Sequence, residues 1–188
     1  MKMTLATKVT LMRLLLVPLI LFLMALKTPV GFLCAEIVFI LASLTDWLDG
    51  YLARVRNEIT NLGKFLDQIV DKLLIVPIMI AFAAFGELAW WYVVVVVMRD
   101  TWVSGMRMAV ASNGVVIAAS MWGKWKTGSQ MALLIVLFTN LSLLGQRDII
   151  YFPEWFVWAL LVISMLLTLY SGWDYTWKAR RVLFGEGK

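Results

Sequence analysis

Long apolar runs separated by short polar stretches organise this chain. Val9–Leu26 is interrupted only by Thr10, Arg13 and Pro18. Lys27-Thr28-Pro29 ends it, because proline disfavours helix at the residue before it. Further runs cover Gly31–Leu52, Asn61–Phe85, Leu88–Ala111, Gly123–Leu144 and Pro153–Tyr175. Gly86 stops the third run, Asn113-Gly114 marks a turn inside a loop Ser112–Trp122, and a basic tail, Lys178-Ala-Arg-Arg, follows the sixth. Each run approaches or reaches the ~20 residues that cross a bilayer as a helix. None shows the alternation of a membrane barrel strand. The pattern predicts an all-α polytopic membrane protein with six transmembrane helices. No polar stretch is long enough to fold alone, and no repeat or Gly/Ser-rich linker appears, so residues 1–188 read as a single membrane domain.

Charge orients this bundle. With the N-terminus in the cytoplasm, every one of the 17 basic residues except Lys27 and Arg147 falls on inner ends and loops. This positive-inside bias predicts that both termini are cytoplasmic. Trp90 and Trp91 fall at the outer edge of the fourth helix, and Trp155, Trp158, Trp173 and Trp177 bracket the sixth, where indoles anchor at the membrane interface. A cleaved signal peptide is the competing reading of the first run, but no A-x-A-like site follows and Arg13 interrupts it.

Composition narrows the chemistry. The chain is 62% hydrophobic and 15% charged, where a soluble domain carries about 25% charge. The lone cysteine, Cys34, excludes an internal disulfide framework and argues against thiol–zinc chemistry. Histidine is absent, so acid–base work falls to carboxylates, lysine, tyrosine or water. The net charge of +5 reads as orientation and contact with anionic lipid, not as nucleic-acid binding.

One stretch breaks the apolar pattern: TDWLDGYLARVRNEITNLGKFLDQIVDK, Thr45–Lys72. Asp46 and Asp49 are three apart and Ala53 is seven from Asp46, one helical face. Gly63, Asp67 and Asp71 follow at spacings of four, again one face. The short connection Val55–Thr60 allows an antiparallel hairpin that turns all four aspartates toward one place near the cytoplasmic membrane edge. Clustered carboxylates raise one another's pKa values, and a divalent cation removes that conflict. Oxygen donors without His or Cys suit Mg²⁺, Mn²⁺ or Ca²⁺. Gly50 and Gly63 leave room for close approach, and Arg54, one turn away, can grip a phosphate. Charges inside apolar helices default to function. Asp174, with no partner carboxylate on its face, reads as an ordinary surface charge.

The pattern Asp46-x-x-Asp49-Gly50-x-x-Ala53-Arg54, eight residues, Gly63, three residues, Asp67, three residues, Asp71 resembles the signature of the CDP-alcohol phosphatidyltransferases, with every signature position filled. Thr10-Leu-Met-Arg13, Arg99-Asp100 with Ser104 and Arg107, and Gly123-Lys124-Trp-Lys126-Thr127 with Gln130 are similar to markers of the bacterial members whose acceptor is sn-glycerol 3-phosphate. Asp100 stands where the family usually has Glu, and Gln68 where it often has Pro.

The resemblance implies a reaction: the acceptor hydroxyl attacks the lipid-side phosphate of CDP-diacylglycerol, giving phosphatidylglycerophosphate and CMP. It implies that Asp46, Asp49, Asp67 and Asp71 hold Mg²⁺ or Mn²⁺, that Asp71 is the base, and that Asp49, Gly50, Ala53, Arg54 and Gly63 line the cytidine diphosphate pocket. It also implies a homodimer in the bacterial cell membrane with its active site facing the cytoplasm. Arg99, Arg107, Lys124 and Lys126 form the basic cluster for the acceptor phosphate. Arg99 and Arg107 lie about 80° apart on a helical wheel, and Arg99 sits too deep for an interfacial charge, unless it pairs with Asp100. Thr10 and Arg13 are further candidates, while Lys178, Arg180, Arg181 and Lys188 read as tail charges near lipid. Two readings compete: another acceptor, as in cardiolipin or phosphatidylserine synthases, and a divalent-cation transporter. Against transport, the carboxylates gather at one membrane face and no broken helix pair appears.

Overall fold

The computed structural model describes the backbone of residues 5–55, 61–112, 120–143 and 152–183; side chains are described for residues 12, 14–45, 72–111, 120–143 and 152–180. All regular structure among them is helical: α1 (Leu5–Ala25), α2 (Pro29–Val55), α3 (Asn61–Ala84), α4 (Trp90–Ser112), α5 (Met121–Ser142) and α6 (Glu154–Leu183).

These elements agree with the apolar runs, and the differences lie at their ends. α1 begins at Leu5 instead of Val9, and α2 runs on to Val55. α6 continues to Leu183, so the Lys178-Ala-Arg-Arg segment is helix and not tail. Lys, Ala and Arg are strong helix formers, no Gly or Pro intervenes before Gly185, and Asp174 and Lys178 add an i,i+4 ion pair at 2.7 Å. Asp174 thus has an ordinary structural role. The connection 56–60 and loop residues 113–119 lie outside the described residues.

Local rules account for the helix ends that can be read. Lys27 adopts a left-handed conformation (φ 50°) just past α1, and its N–H donates to the Met24 carbonyl at 3.0 Å. Thr28 then caps α2 by accepting the Gly31 N–H at 3.0 Å, with Pro29 at the first helical position. At the end of α3, Gly86 (φ 81°) donates to Ala83 and Glu87 donates to Phe82, a Schellman closure that needs a residue tolerating positive φ. Ser120 caps α5 by accepting the Gly123 N–H at 3.3 Å.

The described residues fall into two compact units. In the first, Met1–Glu87 with Leu134–Phe152, α1 packs on both α2 and α3. Its core is aromatic and aliphatic: Phe138 packs against Phe39 and Phe82 at ring separations of 5.9 and 4.7 Å, with Ile20, Met24, Ile78 and Met79 fully buried around them. Glu36 of α2 is buried and accepts a hydrogen bond from Thr139 at 2.7 Å. The second unit, Leu88–Leu133 with Pro153–Lys188, packs α4 against α6. Here the buried face of α6 is built from small and polar residues, Ser164, Thr168, Ser171, Tyr175 and Ala179. Tyr92 hydrogen-bonds Ser164, and Gln130 donates to Thr168. Small residues let membrane helices approach closely, and their hydroxyls satisfy one another where lipid cannot.

Much of the described surface is apolar. Leu15, Phe22, Val30, Leu41, Met98, Leu166 and Trp173 are all more than half exposed, a pattern that water would penalise and hydrocarbon would not. Among the described residues, Glu154–Arg180 is long and apolar enough to cross a membrane; shorter apolar stretches run over Leu14–Ala25, Pro29–Thr45 and Lys72–Ala84. At 1.5 Å per residue, the 27 residues of the long span reach about 40 Å, against a hydrocarbon core of about 30 Å.

Candidate active site

The aspartate motif lies on two helices, each continuous through its share. α2 carries Asp46, Asp49, Gly50, Ala53 and Arg54; α3 carries Gly63, Asp67 and Asp71. A helical backbone places Asp46 and Asp49 about 4.5 Å apart along the axis, and Asp67 and Asp71 about 6 Å. The side chains of these eight residues, and those of Thr10 and Arg13 on α1, lie outside the described residues. What can be tested is the donor chemistry. Four carboxylates and no histidine in the chain offer hard oxygen ligands only, which fits a hard divalent cation and not zinc.

The basic cluster of the second unit is described in full atomic detail. Asp100 sits at its centre. Arg99 donates through Nη1 to Asp100 Oδ1 at 2.8 Å, and Lys126 donates to both carboxylate oxygens, at 2.8 and 2.6 Å. The Arg99 and Lys126 side chains are only 13% and 5% exposed. The pairing of Arg99 with Asp100 weighed above therefore exists, but it occupies only one edge of the guanidinium. Arg99 Nε and Nη2, the other edge, are buried with no partner among the described residues, and so is Arg107 Nε. Nε and Nη2 point side by side, the fork that takes two oxygens of a phosphate or carboxylate. Within the cluster, three cations face one described carboxylate. The excess suits an anion of about two charges. Lys124 precedes Lys126 by two residues and lies on the exposed side of α5.

Two α6 residues complete the cluster, and nothing in the motif spacing points to them. Tyr175, 4% exposed, accepts hydrogen bonds from Arg107 Nη2 at 2.6 Å and from the Ser120 backbone N–H at 2.8 Å. Both guanidinium groups lie over its ring, with Arg107 Cζ 4.8 Å and Arg99 Cζ 5.7 Å from the centroid. Gly172, one turn earlier, leaves the space through which the Arg99 stem passes: a Cβ there would stand 3.1 Å from Arg99 Cγ. Tyr175 is 68 residues from Arg107 and at the far end of the last apolar run. Its one signal in the sequence is a polar ring at a position that reads as a helix end.

Described residues that are helical with many exposed apolar side chains, a double aspartate motif and a part-buried basic cluster have the parts of a membrane transferase acting on phosphate groups. Comparison with known proteins makes this specific. The family model described as CDP-alcohol phosphatidyltransferase matches residues 3–170, and the chain belongs to that family. It is 37% identical to the CDP-diacylglycerol--glycerol-3-phosphate 3-phosphatidyltransferase of Bacillus subtilis (strain 168), over 93% of this chain and 96% of the relative. It is 37% identical to a probable phosphatidylglycerophosphate synthase of Mycobacterium tuberculosis (strain ATCC 25618 / H37Rv), over 96% and 84%, and 31% identical to the Sodalis glossinidius transferase of the same name as the Bacillus protein, over 98% and 99%. The family is one of divalent-metal-dependent enzymes, as the donor set of this chain allows.

Proposed function

We infer that this protein transfers the phosphatidyl group of CDP-diacylglycerol to sn-glycerol 3-phosphate, forming phosphatidylglycerophosphate and CMP in phosphatidylglycerol biosynthesis. Similarity to phosphatidylglycerophosphate synthases along nearly the whole chain supports the reaction. The observation that carries the choice of acceptor is the part-buried Arg99–Arg107–Lys126 cluster, with a guanidinium edge that has no partner among the described residues. A neutral acceptor such as serine's hydroxyl end or inositol gives no reason to bury that edge, whereas a phosphate dianion does.

In this reading Asp46, Asp49, Asp67 and Asp71 hold Mg²⁺ or Mn²⁺, and Gly50, Ala53, Arg54 and Gly63 line the cytidine diphosphate pocket with Asp49. A divalent cation held by these residues would supply positive charge to the diphosphate. Asp71 takes the proton of the attacking hydroxyl, a carboxylate being the natural base in a chain without histidine. One bond forms between the acceptor oxygen and the lipid-side phosphorus, and the bond from that phosphorus to CMP breaks. Arg99 and Arg107 hold the acceptor phosphate, with Lys124 and Lys126 adding charge; Thr10 and Arg13 stay as further candidates. One family model spans both compact units, which supports a single catalytic domain. We place six spans in the bacterial cell membrane, termini and active site cytoplasmic, with a homodimer carried over from the family alone.

The test is CMP release from CDP-diacylglycerol in detergent micelles, with a panel of acceptors and with Mg²⁺, Mn²⁺ or chelator. Turnover with glycerol 3-phosphate, lost on chelation and not replaced by serine or phosphatidylglycerol, is the expected result. Preference for either of the other two acceptors overturns the assignment. Mn²⁺ movement into liposomes without CMP release establishes transport instead.

A further inference from the structure

We propose that Tyr175 is itself a binding residue for the acceptor phosphate, donating its phenolic O–H to a phosphate oxygen; this rests on the glycerol 3-phosphate reading above. Arg107 Nη2 and the Ser120 backbone nitrogen are donors only, so the Tyr175 oxygen accepts from both. Those two bonds take its lone pairs and leave its hydrogen without an acceptor among the described residues. The phenol is 4% exposed, so water offers little substitute, and a buried unmade donor is costly. Of the four buried side-chain atoms without a hydrogen-bond partner among the described residues, three are donors too, Arg99 Nε and Nη2 and Arg107 Nε; the fourth, the acceptor Gln130 Oε1, sits in the amide that donates to Thr168, two turns of α6 before Tyr175. These two arginines share the face of the Tyr175 ring. Four N–H and O–H groups with no acceptor among the described residues thus gather around one aromatic side chain. What satisfies all of them is a group with several acceptor oxygens and two negative charges, a phosphomonoester. A phosphodiester has fewer free oxygens and one charge, and a neutral alcohol has neither.

Tyr175 also holds the cluster together, so the test must separate donation from positioning. Tyr175→Phe keeps the ring under both arginines and removes only the hydroxyl. The KM for glycerol 3-phosphate is expected to rise about 10-fold or more, the scale of a hydrogen bond to a charged group, with the KM for CDP-diacylglycerol within about twofold of wild type. Arg107→Ala separates the roles. If Tyr175 only orients Arg107, the phenylalanine substitution adds nothing in that background; direct donation requires a further rise in the acceptor KM. No rise in either background, or a rise that vanishes with Arg107→Ala, overturns the proposal. The wild-type control keeps the two inferences apart. Absence of wild-type turnover with glycerol 3-phosphate defeats the functional reading, whereas normal wild-type turnover with an unchanged Tyr175→Phe KM defeats only the tyrosine. Should Tyr175→Phe fail to fold, Tyr175→3-fluorotyrosine retains the hydroxyl. Its ¹⁹F resonance is expected to move on addition of glycerol 3-phosphate but not glycerol, and an unmoved resonance overturns the proposal.

Discussion

Asp100 is the counter-charge that lets two buried cations coexist. It accepts from Arg99 and doubly from Lys126 while all three side chains stay below 15% exposure. Removing one partner of such a group strands the others, at a cost of about 3–5 kcal/mol. Asp100→Asn is therefore expected to lower the melting temperature in detergent. Glycerol 3-phosphate is expected to raise it more in the variant than in the wild type, because the ligand replaces the missing charge and binds the folded state. Equal ligand shifts in both proteins would place the anion elsewhere. Asp71, which we propose as the base, poses the opposite case. Asp71→Asn is expected to abolish CMP release while leaving the melting temperature near that of wild type. A positioned base contributes about 10²–10⁴-fold, so near-normal turnover would remove Asp71 from that role.

At the scale of elements, the helices serve as rulers that carry chemical groups into the bundle, and the approach of α4 to α6 decides how well they do so. Gly172 is the point where α6 yields to Arg99. A methyl group there, 3.1 Å from Arg99 Cγ, forces the stem to shift by a few tenths of an ångström while Nη1 remains tied to Asp100. Gly172→Ala is expected to raise the acceptor KM several-fold with helix content unchanged by circular dichroism; an unchanged KM would mean that the stem moves without its guanidinium. Gly86 tests packing-free backbone strain. A Cβ there meets nothing within 4 Å, but φ is 81°, so Gly86→Ala is expected to cost about 1 kcal/mol from the left-handed conformation alone. The long extension of α6 belongs here too. By carrying helix past Tyr175 to Leu183, it holds that side chain in a regular element and not at a frayed end.

At the scale of the whole molecule, the apolar exterior and the charge bias make one topological prediction. In a Cys34→Ser background, a cysteine replacing Gln146 is expected to react with a membrane-impermeant maleimide on intact cells. One replacing Gly114 is expected to react only after permeabilisation. The reverse pattern would invert the protein. α4 and α5 show why hydropathy alone recovers a single long span among the described residues. Arg99, Asp100 and Arg107 on one, and Lys124 and Lys126 on the other, interrupt runs that are helical throughout.

Among the described residues, element number, helix type and most boundaries follow from the chain alone, because apolar length and Gly/Pro punctuation are local properties of each segment. The helical placement of the aspartate motif is equally legible, since its spacing is a helical spacing. The basic cluster is only half legible. Arg99, Arg107 and Lys126 announce themselves as charges in apolar surroundings, but their pairing with Asp100 and their unused edges depend on distances that no spacing encodes. Tyr175 and Gly172 carry almost no signal in the sequence. A tyrosine and a glycine late in an apolar helix are unremarkable until the packing of α4 on α6 brings two arginines, 68 and more residues away, across the ring of one and into the gap left by the other. Long-range contact decided their meaning, and long-range contact is a property of the folded chain.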